Sequence, residues 1–123
     1  MAIKTENGTF PLLALRDLVI LPHVITHFDA ARKQSVAAIE RADGSDGYLF
    51  VVTQRDPELE EPEAEDLYGT GTICKINQIL RLPGGLVRVL VKGVARGVIQ
   101  SVDTSGKWME ADVVRYDDVE EAM

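Results

Sequence analysis

Hydrophobic and polar positions alternate with two different periods along this chain, and the change of period separates strands from a single helix. From Pro11 to Pro22 the residues PLLALRDLVILP form two short apolar runs parted by Arg16-Asp17 and closed by a proline, which predicts a buried strand with a break. Val24, Thr26 and Phe28 then alternate with Ile25, His27 and Asp29, a period of two that predicts a second, half-buried strand. At Arg32 the period lengthens. In RKQSVAAIERA, Val36, Ile39 and Ala42 share one helical face while Lys33, Glu40 and Arg41 lie largely off it. The pattern predicts a helix over Arg32 to Ala42 that ends at Asp43-Gly44, with the glycine available for a left-handed residue after the last turn and no clear capping box at its start.

Tyr48 to Thr53, YLFVVT, is a continuous apolar and β-branched run, the signature of a central strand buried on both faces. Gly71 to Leu82 places Cys74, Ile76, Leu80 and Leu82 on one face and Lys75, Asn77 and Arg81 on the other, which predicts a long strand. Pro83-Gly84-Gly85 supplies a turn, and Val87, Val89 and Val91 alternate with Arg88 and Lys92 on the way back, so a hairpin is expected. Gly93 and Gly97 bracket a bend into Val98 and Ile99, and Trp108 to Tyr116 forms a final strand. The expected fold is mainly β (α+β), with six or seven strands and one helix, the sheet curled into a small barrel.

Composition narrows the function without naming it. A chain of 123 residues with 46% apolar and 27% charged residues is sized and composed as one globular domain. Cys74 is its single cysteine, which excludes an internal disulfide and a cysteine-based zinc site and fits a reducing, cytoplasmic setting. MAIKTENGTF has the features of neither a secretory nor a transit signal, and no apolar run reaches the roughly 18 residues of a membrane-spanning helix. The net charge of −7 is local in origin: Asp56, Glu58, Glu60, Glu61, Glu63, Glu65 and Asp66 stand together without a base, and setting them aside leaves as many acids as bases. With Pro57 and Pro62 among them, these acids predict a solvated loop. The bases are dispersed along the chain, which disfavours nucleic-acid binding by phosphate neutralisation.

A search for chemistry finds none. His23 and His27 have the spacing of a helical zinc pair, but in an extended segment at about 3.3 Å per residue their side chains start roughly 13 Å apart. Gly106-Lys107 runs into Trp108 and a strand, so it is no phosphate loop, and Gly69-Thr70-Gly71 lacks the later glycine of a dinucleotide fingerprint. Ser45 lies in a surface turn, outside nucleophile-elbow spacing. The acidic stretch lacks the alternating ligands and central glycine of a calcium loop, and Trp108 and Tyr116 are read as packing groups. No catalytic, metal-binding or cofactor-binding residue is assigned.

Several stretches in order resemble the amino-terminal domain of bacterial ATP-dependent Lon proteases. PLLALRDLVILPH is similar to that family's first strand with its Arg-Asp break and closing proline; ARKQSVAAIERA resembles its helix; TQRDPELEEPEAEDLYGTGTICKINQILRLPGGLVRVLVKGVARGVI resembles its acidic connection, Gly-Thr entry and long hairpin. The resemblance runs from Pro11 to about Tyr116. HFDAARKQS favours the protease branch over stand-alone domains of the same fold, which show an Arg-Tyr pair at the helix start.

The resemblance implies a PUA-like twisted pseudo-barrel over residues 11–116, a flexible start over 1–10, and over 117–123 the beginning of a connection to a helical subdomain. It also implies a longer parent with an ATPase module that uses ATP and Mg, a Ser-Lys peptidase domain and a homo-hexameric assembly. The expected role of this part is to bind unfolded, damaged or tagged proteins and present them to the motor. A stand-alone regulatory or adaptor domain is the alternative, and a small RNA-binding barrel a distant third. Clients of that kind expose apolar segments, so the candidate contacts are apolar residues at exposed connections: Leu21 and Pro22 after the opening strand, and Leu82, Pro83 and Leu86 around the hairpin tip.

Overall fold

Among the described residues, six strands and one α-helix follow in the order β1 (Ala2–Leu15), β2 (Ile25–Ala30), α1 (Lys33–Asp43), β3 (Tyr48–Thr53), β4 (Thr70–Arg81), β5 (Val87–Asp103) and β6 (Met109–Asp118). The computed structural model describes residues 2–15, 20–55, 58 and 67–118, and the side chains of all of these except 2–7, 117 and 118. The Arg16-Asp17 break and nearly all of the acidic stretch lie outside the described residues.

The strand order is β2-β5-β4-β3-β1-β6, and β6 returns to pair with β5. Strands β5, β4, β3, β1 and β6 therefore close a ring, and β2 stands outside it. Closure depends on the length of β5. On one edge it pairs with β4 along most of its course. On the other it pairs first with β2, from Val87 to Lys92, and then with β6, from Arg96 to Asp103. β1 and β3 are parallel, Leu12 to Leu15 against Phe50 to Thr53, with β2 and α1 forming the crossover that a parallel pair requires.

β1 and β3 divide the interior in two, which explains their continuous apolar runs. Their alternate residues Leu12, Ala14, Phe50 and Val52 fill the ring together with Ile73, Met109, Ala111 and Val113. Leu13, Leu15, Leu49 and Val51 face the other way, packing with Ala38, Ile39 and Ala42 of α1 and with Phe28, Val87, Val89 and Val91. Gln54, 1% exposed, is a polar side chain within the buried layer and accepts a bond of 3.2 Å from the partly buried Arg32, which also donates to the Ala14 carbonyl at 3.0 Å.

Cys74 is fully buried on the helix side, and burial pushes its thiol up to about 12. A thiolate-directed reagent at pH 8 is therefore expected to label the folded chain only as fast as the sheet opens, and the urea-unfolded chain at the ordinary thiol rate. Mass spectrometry of alkylated Cys74 checks this; equal rates in the two states would show that the β3–β4 layer is loosely closed.

The elements agree with the sequence pattern except where pairing overrides it. β1 begins at Ala2 instead of Pro11, because antiparallel pairing with β6 from Asp118 inward carries the polar opening residues into the sheet, and β6 likewise runs past Tyr116. Gly44 is not left-handed (φ −79°); the left-handed residue after the helix is Gly47 (φ 81°), whose N–H bonds the Ala42 carbonyl at 2.8 Å. Gly93 and Gly97 lie within an unbroken β5. Leu80 is 44% exposed, and Ile79 turns to the core in its place. The cause is a register shift between Ile76 and Gln78, where Asn77 is an extra residue opposite β5 and reverses the alternation for the rest of β4.

Candidate functional site

The ring's inner face does not end where the barrel does. On β3 and β4 the face that carries Phe50 and Ile73 continues to Tyr48 and Lys75 at the barrel mouth. Beyond the mouth, β2, β5 and β4 extend as a three-stranded ribbon. Its helix-side face is buried through Val87, Val89 and Val91, and the opposite face is open. Cross-strand pairing lays that open face out in rows: Ile25, Lys92 and Lys75; then His27, Leu90 and Gln78; then Asp29, Arg88 and Leu80.

The open face is more apolar than a solvated sheet face needs to be. Ile25 is 57% and Leu80 44% exposed, with Leu90 half-buried between their rows. A shallow depression of about 210 Å³ is lined by His27, Gln78, Leu80, Arg88 and Leu90. Arg88 forms a two-pronged pair with Asp29, at 2.8 and 3.1 Å. That hydrogen bond, reinforced by the charge of Arg88, holds the Asp29 carboxyl below its usual range and Arg88 above its own. The pair fixes the rim of the face and leaves its centre apolar.

Leu21 and Pro22 occupy the turn that leads into β2, held to β5 by His23 N–H to the Gly93 carbonyl (2.8 Å) and Gly93 N–H to the Val24 carbonyl (3.0 Å). His23 takes a left-handed conformation there (φ 69°). Leu21 is 53% exposed and Val24, next to Ile25 in the chain, 43%. Leu82, Pro83 and Leu86 surround the 3-10 turn at Pro83–Gly85, closed by Leu82 N–H to the Leu86 carbonyl at 2.8 Å. Pro83 is exposed, whereas Leu82 and Leu86 are half-buried. The two candidate groups are thus at opposite ends of the ribbon, separated along β5 by roughly 20–25 Å at the usual rise per residue. Ile25, Leu90 and Leu80 lie between them. Ile25 was visible in the sequence as an apolar residue in the polar set with His27 and Asp29; Leu80 was hidden by the extra residue at Asn77. Tyr68, the other large exposed apolar side chain among the described residues, lies apart beneath the Arg55 guanidinium, 4.9 Å from its ring centre.

Gly93 to Ala95, where β5 changes partner from β2 to β6, floor a second feature. A cavity of about 540 Å³ opens there, lined by Pro22, His23, Tyr48, Lys75, Lys92, Arg96, Arg115 and Tyr116 around the β5 backbone. No group of three or more His, Cys, Asp or Glu side chains that could hold a metal ion occurs among the described residues. No helix among them is long and apolar enough to cross a membrane.

The model of the ATP-dependent protease La (LON) substrate-binding domain matches residues 9–123. The Lon protease of Clostridium acetobutylicum is 43% identical over 116 residues, covering 94% of this chain, and that of Heliobacterium modesticaldum is 46% identical over 97 residues, covering 79%. This chain spans only 15% and 12% of those relatives' lengths. Among solved structures, the N-terminal domain of a Mycobacterium avium complex Lon protease superposes with a TM-score of 0.72 at 25% identity, over 92% of this chain and 57% of that one. A Lon N-terminal domain protein from Xanthomonas campestris superposes with a TM-score of 0.67 at 14% identity, over 88% and 59%, and shares the fold. With its barrel, its helix and its whole length from residue 9 matched, the chain belongs to the Lon substrate-binding domain family.

Proposed function

We propose that this chain is the non-catalytic, client-engaging domain of a cytoplasmic ATP-dependent protease, and that it holds unfolded, damaged or tagged polypeptides on the open face of the β2–β5–β4 ribbon. The observation that carries the reading is the exposure of the apolar side chains Ile25 and Leu80 on this open face, with Leu21 and Val24 exposed in the turn that leads into it. Unfolded polypeptides differ from folded ones in displaying apolar segments, and uncovered apolar area is what captures them. ATP hydrolysis with Mg, Ser-Lys peptide cleavage and assembly into a hexamer would belong to the rest of such a protein. This chain's part is to raise the local concentration of clients near the motor, with no bond made or broken on it.

Replacing Leu21 and Ile25 together by Ser tests the reading. Both side chains are more than half exposed, so the melting temperature is expected to stay within a few degrees of the parent. Affinity for a fluorescently labelled, reduced and alkylated unfolded protein is expected to fall on the order of tenfold. Leu86→Ser, measured in parallel, reports whether the hairpin tip shares the contact. Unchanged affinity in the folded double variant would remove this face from the site.

A further inference from the structure

The cavity at the barrel mouth collects cations that are far apart in sequence. Lys75 comes from β4, Lys92 and Arg96 from β5, and His23 from the turn before β2; Arg115 of β6 borders them and has an interaction of its own. No carboxylate lines the cavity among the described residues. Elsewhere on this face and around it, cations have partners: Arg88 is paired with Asp29, and Arg81 with Glu40 at 3.1 Å. At the mouth the Lys75 ammonium donates to the Asp46 backbone carbonyl (2.9 Å) and lies 4.7 Å from the centre of the Tyr48 ring, which aims it and leaves further donors open. Lys92 and Arg96 meet no acid among the described residues. Lys92, opposite Lys75, and Arg96, opposite Thr72, approach the cavity from the two faces of β5 where its partner changes, both exposed.

We infer that this cavity binds carboxylates of the captured polypeptide, so that the preferred client segment is an apolar stretch adjoined by Asp, Glu or a free C-terminus. The inference rests on the client-binding reading above and specifies its substrate class. Its basis is adjacency. Ile25 is the cross-strand neighbour of Lys92, and Pro22 lines the cavity while Leu21 beside it is exposed. A segment lying on Ile25 places its next residues over Lys92 and the cavity beside it. Guanidinium and ammonium donors bind carboxylates by charge-assisted hydrogen bonds, and the two tyrosines flank the site with surfaces that accept the apolar part of a side chain. Nucleic acid fits less well. The open face leading away from the cavity along β2 and β5 carries Ile25 and Leu90 where a phosphate backbone needs continuing cations.

The experiment compares three labelled peptides with one shared apolar core, flanked by Glu, by Lys or by Gln, together with a single-stranded oligonucleotide, by fluorescence anisotropy on this chain and on its Lys92→Glu/Arg96→Glu variant. The expected result is that the Glu-flanked peptide binds on the order of tenfold more tightly than the Lys-flanked one in low salt, and that the ratio shrinks in 0.5 M KCl. The double variant is expected to bring the ratio to one or below. The salt series on the parent chain reads the same preference without any substitution, so the outcome does not hang on the variant's folding. A ratio near one in the parent, or one that persists in the folded variant, overturns the inference while Gln-flanked binding still upholds the client-binding reading. Failure of the Gln-flanked peptide to bind overturns that reading itself. An oligonucleotide that binds more tightly than the Glu-flanked peptide, and does so through Lys92 and Arg96, reassigns the cavity to phosphate.

Discussion

Phe50→Ala is expected to lower the stability of this domain by about 3–5 kcal/mol and its melting temperature by on the order of 10–20 °C, the largest loss of any single truncation proposed here. Phe50 heads the fully buried side chains and lies at the centre of the ring, among Leu12, Ile73, Met109, Ala111 and Val113. Its ring is seated between two glycines that make room for it. A Cβ at Gly71 would stand 2.8 Å from its Cζ, and one at Gly97 would stand 2.9 Å from its Cε1. Having no side chains, the two glycines present only backbone to the ring, and backbone cannot swing into the vacated space, so the void left by the ring persists and its lining loses dispersion contacts outright. Chemical denaturation with matched m-values measures the loss. A loss below about 1 kcal/mol would mean that the ring collapses around the gap and that Phe50 is not its keystone.

The central layer of this fold was legible because local and tertiary demands coincide there. YLFVVT gives β3 its full extent, since a strand buried on both faces needs apolar residues at every position, and the structure buries Leu49 to Val52 completely between two cores. The helix was legible for the same reason, although its first-face residue Val36 is only partly buried and Ser35 and Ala38 pack more deeply. Features set by pairing between distant strands were not legible. The extra residue at Asn77 exists only relative to β5, and nothing in TGTICKINQILR announces it, so the alternation assigned Leu80 to the wrong side. The opening residues are polar and irregular in sequence, and only β6 makes a strand of them.

The candidate site divides along the same line. Exposed Leu21 follows from its position before a proline at a turn, a local fact. The cation cluster has no local signature, because Lys75, Lys92 and Arg96 meet only when β5 leaves β2 for β6. Dispersed bases in a sequence are therefore weak grounds for excluding an anion site in a closed sheet, where residues of three or four strands converge on one mouth.

Gly93→Ala is expected to cost about 1–3 kcal/mol and, beyond that, to weaken client binding more than tenfold in the fraction that remains folded. Two effects oppose each other at this position. Gly93 has no left-handed backbone to protect, so a methyl group would by itself restrict the unfolded chain and stabilise the strand by up to about 1 kcal/mol. Space decides otherwise. The new Cβ would overlap the Leu21 carbonyl oxygen and stand 3.0 Å from both the Leu21 carbonyl carbon and the Pro22 Cα, all of them backbone atoms of the turn that crosses over β5. That turn cannot yield by a rotamer change; it must lift. Lifting it stretches the His23 N–H to Gly93 carbonyl and Gly93 N–H to Val24 carbonyl bonds and displaces Leu21, Pro22 and Ile25, the apolar end of the proposed contact face. Gly69→Ala serves as the comparison, since a Cβ there meets nothing within 4 Å and the same substitution is expected to be neutral or slightly stabilising. Thermal melting and unfolded-client binding of the two variants, side by side, separate a general cost of losing a glycine from the specific cost of unseating this turn. If Gly93→Ala melts with the parent and binds clients as well, the Leu21–Val24 turn does not rest on Gly93.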